Sequence, residues 1–241
     1  MNKKLLLPFA LLLTLLSACQ TESISGSYRP ELGRELTEYD VLGIELGEDI
    51  SDEQIGTVLD NAGRLEMPRQ GRVLLVQSGA VMPDGELIDA MGKLFQPVPM
   101  SGYAARSSSQ MNTDTTTGQQ SPRDLSKSLR LAAAQAGAQT VIVVWGVLES
   151  IDEMHGSTAV SWVPIVGSFI PDETKHMRIR LKAVVMDVRT GAWEMVVPET
   201  FMSKTKSSSL KRQEAKDKMI LELKQEAYAK LAEMINLRFV R

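Results

Sequence analysis

The sequence predicts an α/β domain: a mixed parallel and antiparallel sheet flanked by helices, in the order β-α-β-α-β-β-β-α. Three observations predict it. Residues 72–76 (RVLLV) and 140–148 (TVIVVWGVL) are apolar runs with no polar face, as in strands covered on both sides. Segments of helical period separate them, which implies parallel strands joined by right-handed crossovers. Finally, Met177, Ile179, Leu181, Ala183 and Val185 alternate with Arg178, Arg180 and Lys182, and a turn at residues 187–191 (DVRTG) leads back into 193–197. That is an antiparallel hairpin with one face wet over its first half.

At the amino end, Lys3 and Lys4 precede an apolar run over residues 5–16, followed by Leu16-Ser17-Ala18-Cys19. The run is too short for a spanning helix, which needs about 20 residues, so it is expected to be a processed signal. Cys19, the only cysteine, stands where small residues precede a cleavage point. This resembles the lipobox of bacterial lipoproteins, which implies cleavage before Cys19, acylation of its thiol and amine, and anchoring by the acyl chains. With Gln rather than Asp at position 20, the same resemblance implies the periplasmic face of the outer membrane. Loss of residues 1–18 removes two lysines and takes the formal charge from -3 to -5. A mildly acidic chain of this kind gives no support to nucleic-acid binding.

The expected domain organisation follows: a signal peptide over 1–18, a lipidated tether over 19–45, a helical lead-in over 46–70, and a periplasmic α/β domain over 71–241. Residues 20–40 are polar, with Gly, Ser and Pro and no apolar period. Ser51-Asp52-Glu53-Gln54 is a capping-box pattern followed by Ile55, Val58, Leu59 and Ala62 at helical spacing. A helix over about 51–64 is expected there, as a core-packing or docking element, because its polar face is acidic and suits a membrane poorly.

Within the domain, Leu87, Met91, Leu94 and Phe95 recur at helical spacing. The two prolines of residues 96–100 (QPVPM) demote that strand to an edge. Residues 104–120, nearly all Ser, Thr, Gln, Asn and Gly, are expected to be a mobile loop. Ser121 caps a helix with Pro122 at its first position; Leu125, Leu129, Ala132, Ala133 and Ala136 line one side, and Gly137 ends it. A last helix carries Ile220, Leu223, Ala227, Leu231 and Met234. From Ser203 onward there are ten Lys or Arg against five Asp or Glu, read as a solvated face or as a docking face for an acidic partner.

The helix end and strand at residues 136–143 (AGAQTVIV), with the turn at 187–191, resemble the periplasmic domain shared by the curli secretion lipoprotein CsgG, the penicillin-binding-protein activator LpoB and the N-terminal domain of TolB. The resemblance covers about residues 70–236. It implies a lipoprotein that binds or builds something in the envelope, and it carries over only Cys19 as a functional residue.

No catalytic constellation emerges. Ser208-Ser209-Leu210-Lys211 matches SxxK, but a helix-capping serine followed by lysines produces the same letters. His155 and His176, near Asp152, Glu153, Asp172 and Glu173, lack a metal-ligand spacing, so no metal and no cofactor are expected. The strongest lead is the apolar insertion over 150–175, with Trp162, Val163, Ile165, Val166, Phe169 and Ile170 as candidate partner-binding residues. Its two aromatics alone expose about 150 to 250 Å² each if uncovered. It reads as a lid on the domain's own core, as a self-association or partner surface, or as a membrane hairpin. For the last, two spanning strands need about 9 to 11 residues each, more than this proline-interrupted stretch supplies. The expected function is a non-catalytic binding or assembly module in envelope biogenesis or transport. Alternatives are a secretion-pore subunit and an envelope hydrolase.

Overall fold

The computed structural model describes residues 33–45, 47, 49–60, 62–104, 121–152, 161–164, 176–204 and 212–241. The signal peptide, Cys19, residues 105–120 of the loop expected over 104–120 and most of the insertion lie outside them, while Ala104 belongs to a strand.

The predicted order is present as β2 (Arg72–Ser78), α3 (Gly85–Gly92), β3 (Gln96–Ala104), α4 (Pro122–Gln135), β4 (Thr140–Asp152), β6 (His176–Asp187), β7 (Trp193–Val196) and α5 (Arg212–Phe239). Added to it are β1 (Arg34–Glu35), α1 (Glu38–Leu42), α2 (Asp52–Asp60), β5 (Ser161–Pro164) and β8 (Phe201–Lys204). The strands lie in the order β1-β3-β2-β4-β6-β7, with β5 on β4 and β8 on β6. β2 pairs in parallel with β3 and β4, and all other pairs are antiparallel. The sheet is therefore mixed, as its sequence implies.

Each strand sits where its residues allow. β4, without a polar face, is central and runs against β6 from Thr140 to Ile151. Among the described residues β3 meets only β1 on its outer side, at Tyr103 and Ala104, which leaves Pro97 and Pro99 on an edge where a missing N–H costs no ladder bond. Gly102 packs so closely on β2 that a Cβ there would come within 1.8 Å of the Gln77 carbonyl oxygen. The β6–β7 turn is held by Asp187, whose Oδ1 accepts from the Thr190 amide at 2.6 Å, and by Gly191 at φ 76°.

Two apolar layers cover the sheet. On one face α3 and α5 pack over Val73, Leu75, Ile142, Val144, Ile179, Leu181 and Val185. α5 contributes Met219, Leu223, Ala227, Tyr228, Leu231, Ala232, Ile235 and Phe239; of the stripe expected from sequence, Leu223, Ala227 and Leu231 are buried while Ile220 and Met234 are partly buried at its margin. Asp84 ties this layer together: its Oδ2 accepts from Tyr228 Oη and Lys224 Nζ, both at 2.8 Å, and its amide donates to Gln77 Oε1 at 2.7 Å. Burial, then the nearby Asp84 charge, pushes the Tyr228 phenol well above its ordinary value. On the opposite face α4 and α1 cover Leu74, Val76, Val141, Val143, Val184 and Met186. Ser121 caps α4 by accepting from the Asp124 amide, and Gly137 closes it at φ 70°.

Two expectations change. Residues 34–42, placed in the tether by sequence, are built into the domain. Leu36 and Val41 are buried, and Thr37 and Asp40 form a reciprocal cap that fixes α1. Asp40 is also bound by Arg34, at 2.6 Å through Nη2. α2 forms with the expected cap, Ser51 and Gln54 bonding reciprocally at 2.9 and 3.2 Å, but it does not pack on the core. Ile55, Val58 and Leu59 are 56, 71 and 71% exposed, and no residue of this helix is buried. Among the described residues, no helix is long and apolar enough to cross a membrane.

Candidate functional site

A strand connection that leaves β2 over one face and a later one that returns over the other face open a crevice at the carboxyl end of β2. Here α3 links β2 to β3 on one side, α4 links β3 to β4 on the other, and β4 lies beside β2. At that end lies a cleft of about 400 Å³ lined by Ser78 of β2, by Trp145, Gly146 and Val147 of β4, by Lys182 of β6, and by residues 35–39. Its floor is β4 at Trp145, Gly146 and Val147. β4 is paired with β2 up to Val144 and with β5 from Glu149 onward, so residues 145–148 have no strand partner on that side among the described residues.

The wall over this floor is the chain from β1 into α1. The Leu36 carbonyl accepts both Ser78 Oγ at 2.7 Å and Trp145 Nε1 at 2.8 Å. Lys182 lies 5.6 Å from the centre of the Trp145 ring and hydrogen-bonds the Glu38 carboxylate. Burial pushes its ammonium below the ordinary lysine value. Tyr39 is about half exposed at the rim. Thr37 Oγ1 is engaged with Asp40 Oδ2 at 2.7 Å, so both aliphatic hydroxyls of the cleft, Ser78 and Thr37, are committed to structural bonds.

The alternation of β4 and β6 carries Val147, Glu149, Arg180 and Arg178 along the same sheet face as Trp145 and Lys182. Glu149 is 4% exposed and accepts from Arg178 Nε at 2.5 Å and from Arg180 Nη2 at 2.8 Å. Burial opposes its charge, but the two guanidinium hydrogen bonds outweigh that and hold its carboxyl below the usual range. The row that the sequence marks as a wet face is thus partly an ion-pair network. Glu149, the first acid of β4 after nine residues without a charge, was the signal for it; only the β4–β6 register brings it opposite Arg178.

Of the candidate residues read from sequence, Trp162 and Val163 lie in β5, paired with Ile151 and Ser150, while Cys19, Ile165, Val166, Phe169 and Ile170 lie outside the described residues. His176 opens β6, paired with Ile151 on one side and Lys204 on the other. His155, Glu153, Asp172, Glu173, Ser208 and Lys211 are outside the described residues. The cleft adjoins the insertion through β5 but is built from residues that motif reading passes over: Glu38, Trp145 and Lys182.

The family model described as YafT bacterial lipoprotein matches residues 37–238, which takes in both helical layers up to Arg238 and the cleft apart from Glu35 and Leu36. No curated protein matches the chain.

Proposed function

Because the chain belongs to the YafT bacterial lipoprotein family, we propose that it is a lipid-anchored envelope protein whose α/β domain binds a partner without catalysing a reaction. The cleft at the carboxyl end of β2 carries this reading. It is open, and its Ser78 and Thr37 hydroxyls are held in structural bonds rather than poised beside a base. The anchor is Cys19, by the lipobox pattern, and Gln20 favours the periplasmic face of the outer membrane.

The insertion supplies the second half of the partner surface through Trp162, Val163, Ile165, Val166, Phe169 and Ile170. Its strand β5 continues the line of β2 along β4 just past the cleft, so a partner in the cleft would reach the insertion at once. The likeness to the CsgG, LpoB and TolB periplasmic domains belongs to the same proposal, supported by the β-α-β-α-β-β-β-α order. It points toward envelope biogenesis or transport.

The test is crosslinking in intact cells with photoreactive residues at Tyr39, Trp162 and Phe169. Discrete adducts to one protein, or to a second copy of this chain, are the expected result. Absence of any adduct from all three positions would remove the binding role.

A further inference from the structure

The chain between α1 and β2 leaves its apolar residues in water. Ile50, Ile55, Val58 and Leu59 are each more than half exposed, and no residue of α2 is buried. The same stretch is strongly acidic: residues 45–60 include six Asp or Glu and no Lys or Arg. Among the described residues Glu45, Asp49, Asp52, Glu53 and Asp60 enter no ion pair. An apolar stripe set in acidic surroundings suits a membrane surface poorly and suits a protein surface that is apolar and basic.

The chain itself carries such a surface. Beyond the amino end of β2, at the opposite end from the cleft, the turn at residues 68–71 and the ends of α3 and α5 enclose a groove of about 410 Å³. Arg69 and Lys93 line it together with the amides of Gln70 and Asn236 and the apolar Leu94 and Leu237, and no carboxylate does. Among the described residues Arg69 and Lys93 enter no ion pair, whereas the nearby Arg238 and Arg241 are already taken by Glu194 and Glu66. Leu237, at 74%, is the most exposed large apolar residue described. Gln70, which shapes the turn presenting Arg69, is the one non-glycine residue described with a positive φ, 53°, a conformation that costs free energy in any residue with a Cβ.

We propose that α2 with its acidic flanks seats in this groove of a second copy of the chain. Ile55, Val58 and Leu59 would cover Leu237 and Leu94, and the acids around them would meet Arg69 and Lys93. The helix does not occupy the groove of its own chain, because its apolar side chains stay exposed there. Each copy offers one helix and one groove, so an exchange between two copies fills both. The contact is small, which makes the association weak in dilute solution. The lipid anchor proposed above confines copies to one surface and raises their effective concentration. This surface is separate from the cleft, and its assembly does not rest on what the cleft binds.

The experiment is disulfide trapping in intact cells that express two differently tagged full-length copies, each with one introduced cysteine. Cys19 is the only native cysteine, and the parent pair without introduced cysteines sets the baseline. Val58→Cys in one copy and Leu237→Cys in the other are expected to give a dimer carrying both tags. Val58→Cys with Leu131→Cys, a residue 61% exposed on α4 over the other face of the sheet, should give about tenfold less, because cysteines more than about 7 Å apart do not bridge. Arg69→Glu with Lys93→Glu in the Leu237→Cys copy should lower trapping by about tenfold, and Asp49→Lys with Asp60→Lys in the other copy should restore most of it. All these positions are exposed, so the variants should fold, and their cellular abundance checks that they do. No dimer above the baseline, equal trapping through Leu131, trapping unchanged by the charge reversals, or failure of the swapped charges to restore it would overturn the proposal. None of these results bears on crosslinks at Tyr39, so the cleft reading stands or falls separately.

Discussion

At the scale of single residues, Glu149 is the most consequential charge in the fold. It is buried and held by Arg178 and Arg180, of which the latter is half exposed. Removing a buried partner from an ion pair leaves uncompensated charge, but solvent reaches Arg180, so the cost of Glu149→Ala should be about 2 kcal/mol rather than the full value for a closed pair. In a domain of this size that lowers the melting temperature by roughly 4 to 8 °C. Glu149 and Asp40 also make stability depend on pH. For each, burial raises the pKa and bonds from arginine, with the Thr37 amide and hydroxyl at Asp40, lower it further, leaving the folded-state value depressed. Their contribution is present above the ordinary carboxylate range, near pH 4, and is lost as pH falls through the depressed values. Urea unfolding midpoints at pH 7, 5 and 3 should therefore fall most between the last two. Glu149→Gln should flatten that fall; an unchanged slope would show that Glu149 is not the titrating group. No sequence pattern reveals the pairing, because Glu149 and Arg178 meet only after β4 and β6 align.

Among the elements, α2 and α5 are opposites in how their sequences relate to their burial. Both carry apolar residues at helical spacing, yet α5 buries its stripe and α2 exposes Ile55, Val58 and Leu59. Periodicity reports that a helix has an apolar side, not that the domain has a place for it. Replacing Ile55, Val58 and Leu59 each by Ser should move stability by no more than about 0.5 kcal/mol apiece. Leu223→Ala, in the covered stripe of α5, should cost about 2 to 5 kcal/mol through lost burial and the cavity left behind. Chemical denaturation of the three α2 variants beside Leu223→Ala checks this, and a comparable loss in any α2 variant would mean that its apolar face is covered in solution. The elements missed by sequence, β1 and α1, were missed for a related reason. Two and five residues are too few to display a period, although Thr37 with Asp40 three residues later was a legible cap, and Leu36 and Val41 on either side were the apolar residues it serves.

For the whole molecule, the anchor and the domain should be separable. β1 begins at Arg34, and its docking through Leu36, Ser78 and Trp145 is internal to the domain. Cys19 and Gly33 are 14 residues apart, a contour of at most about 50 Å, which limits how far the cleft can stand from Cys19, the proposed site of acylation. The alternating strands, the β6–β7 turn and the capped α4 made the fold readable in advance, since each is specified by neighbours in sequence. The cleft was not, because its walls come from β1, α1, β2, β4 and β6 and exist only once the chain is folded. Cys19→Ala should thus release the protein from the membrane fraction and abolish acyl labelling. It should leave the melting temperature of the domain unchanged, because the hydrogen bonds from Ser78 and Trp145 that hold the chain between β1 and α1 lie within the domain. Membrane retention with labelling intact would refute the lipobox. Release accompanied by a large drop in melting temperature would show instead that the acylated end helps hold β1 and α1 over the cleft, so that anchoring and binding are one property.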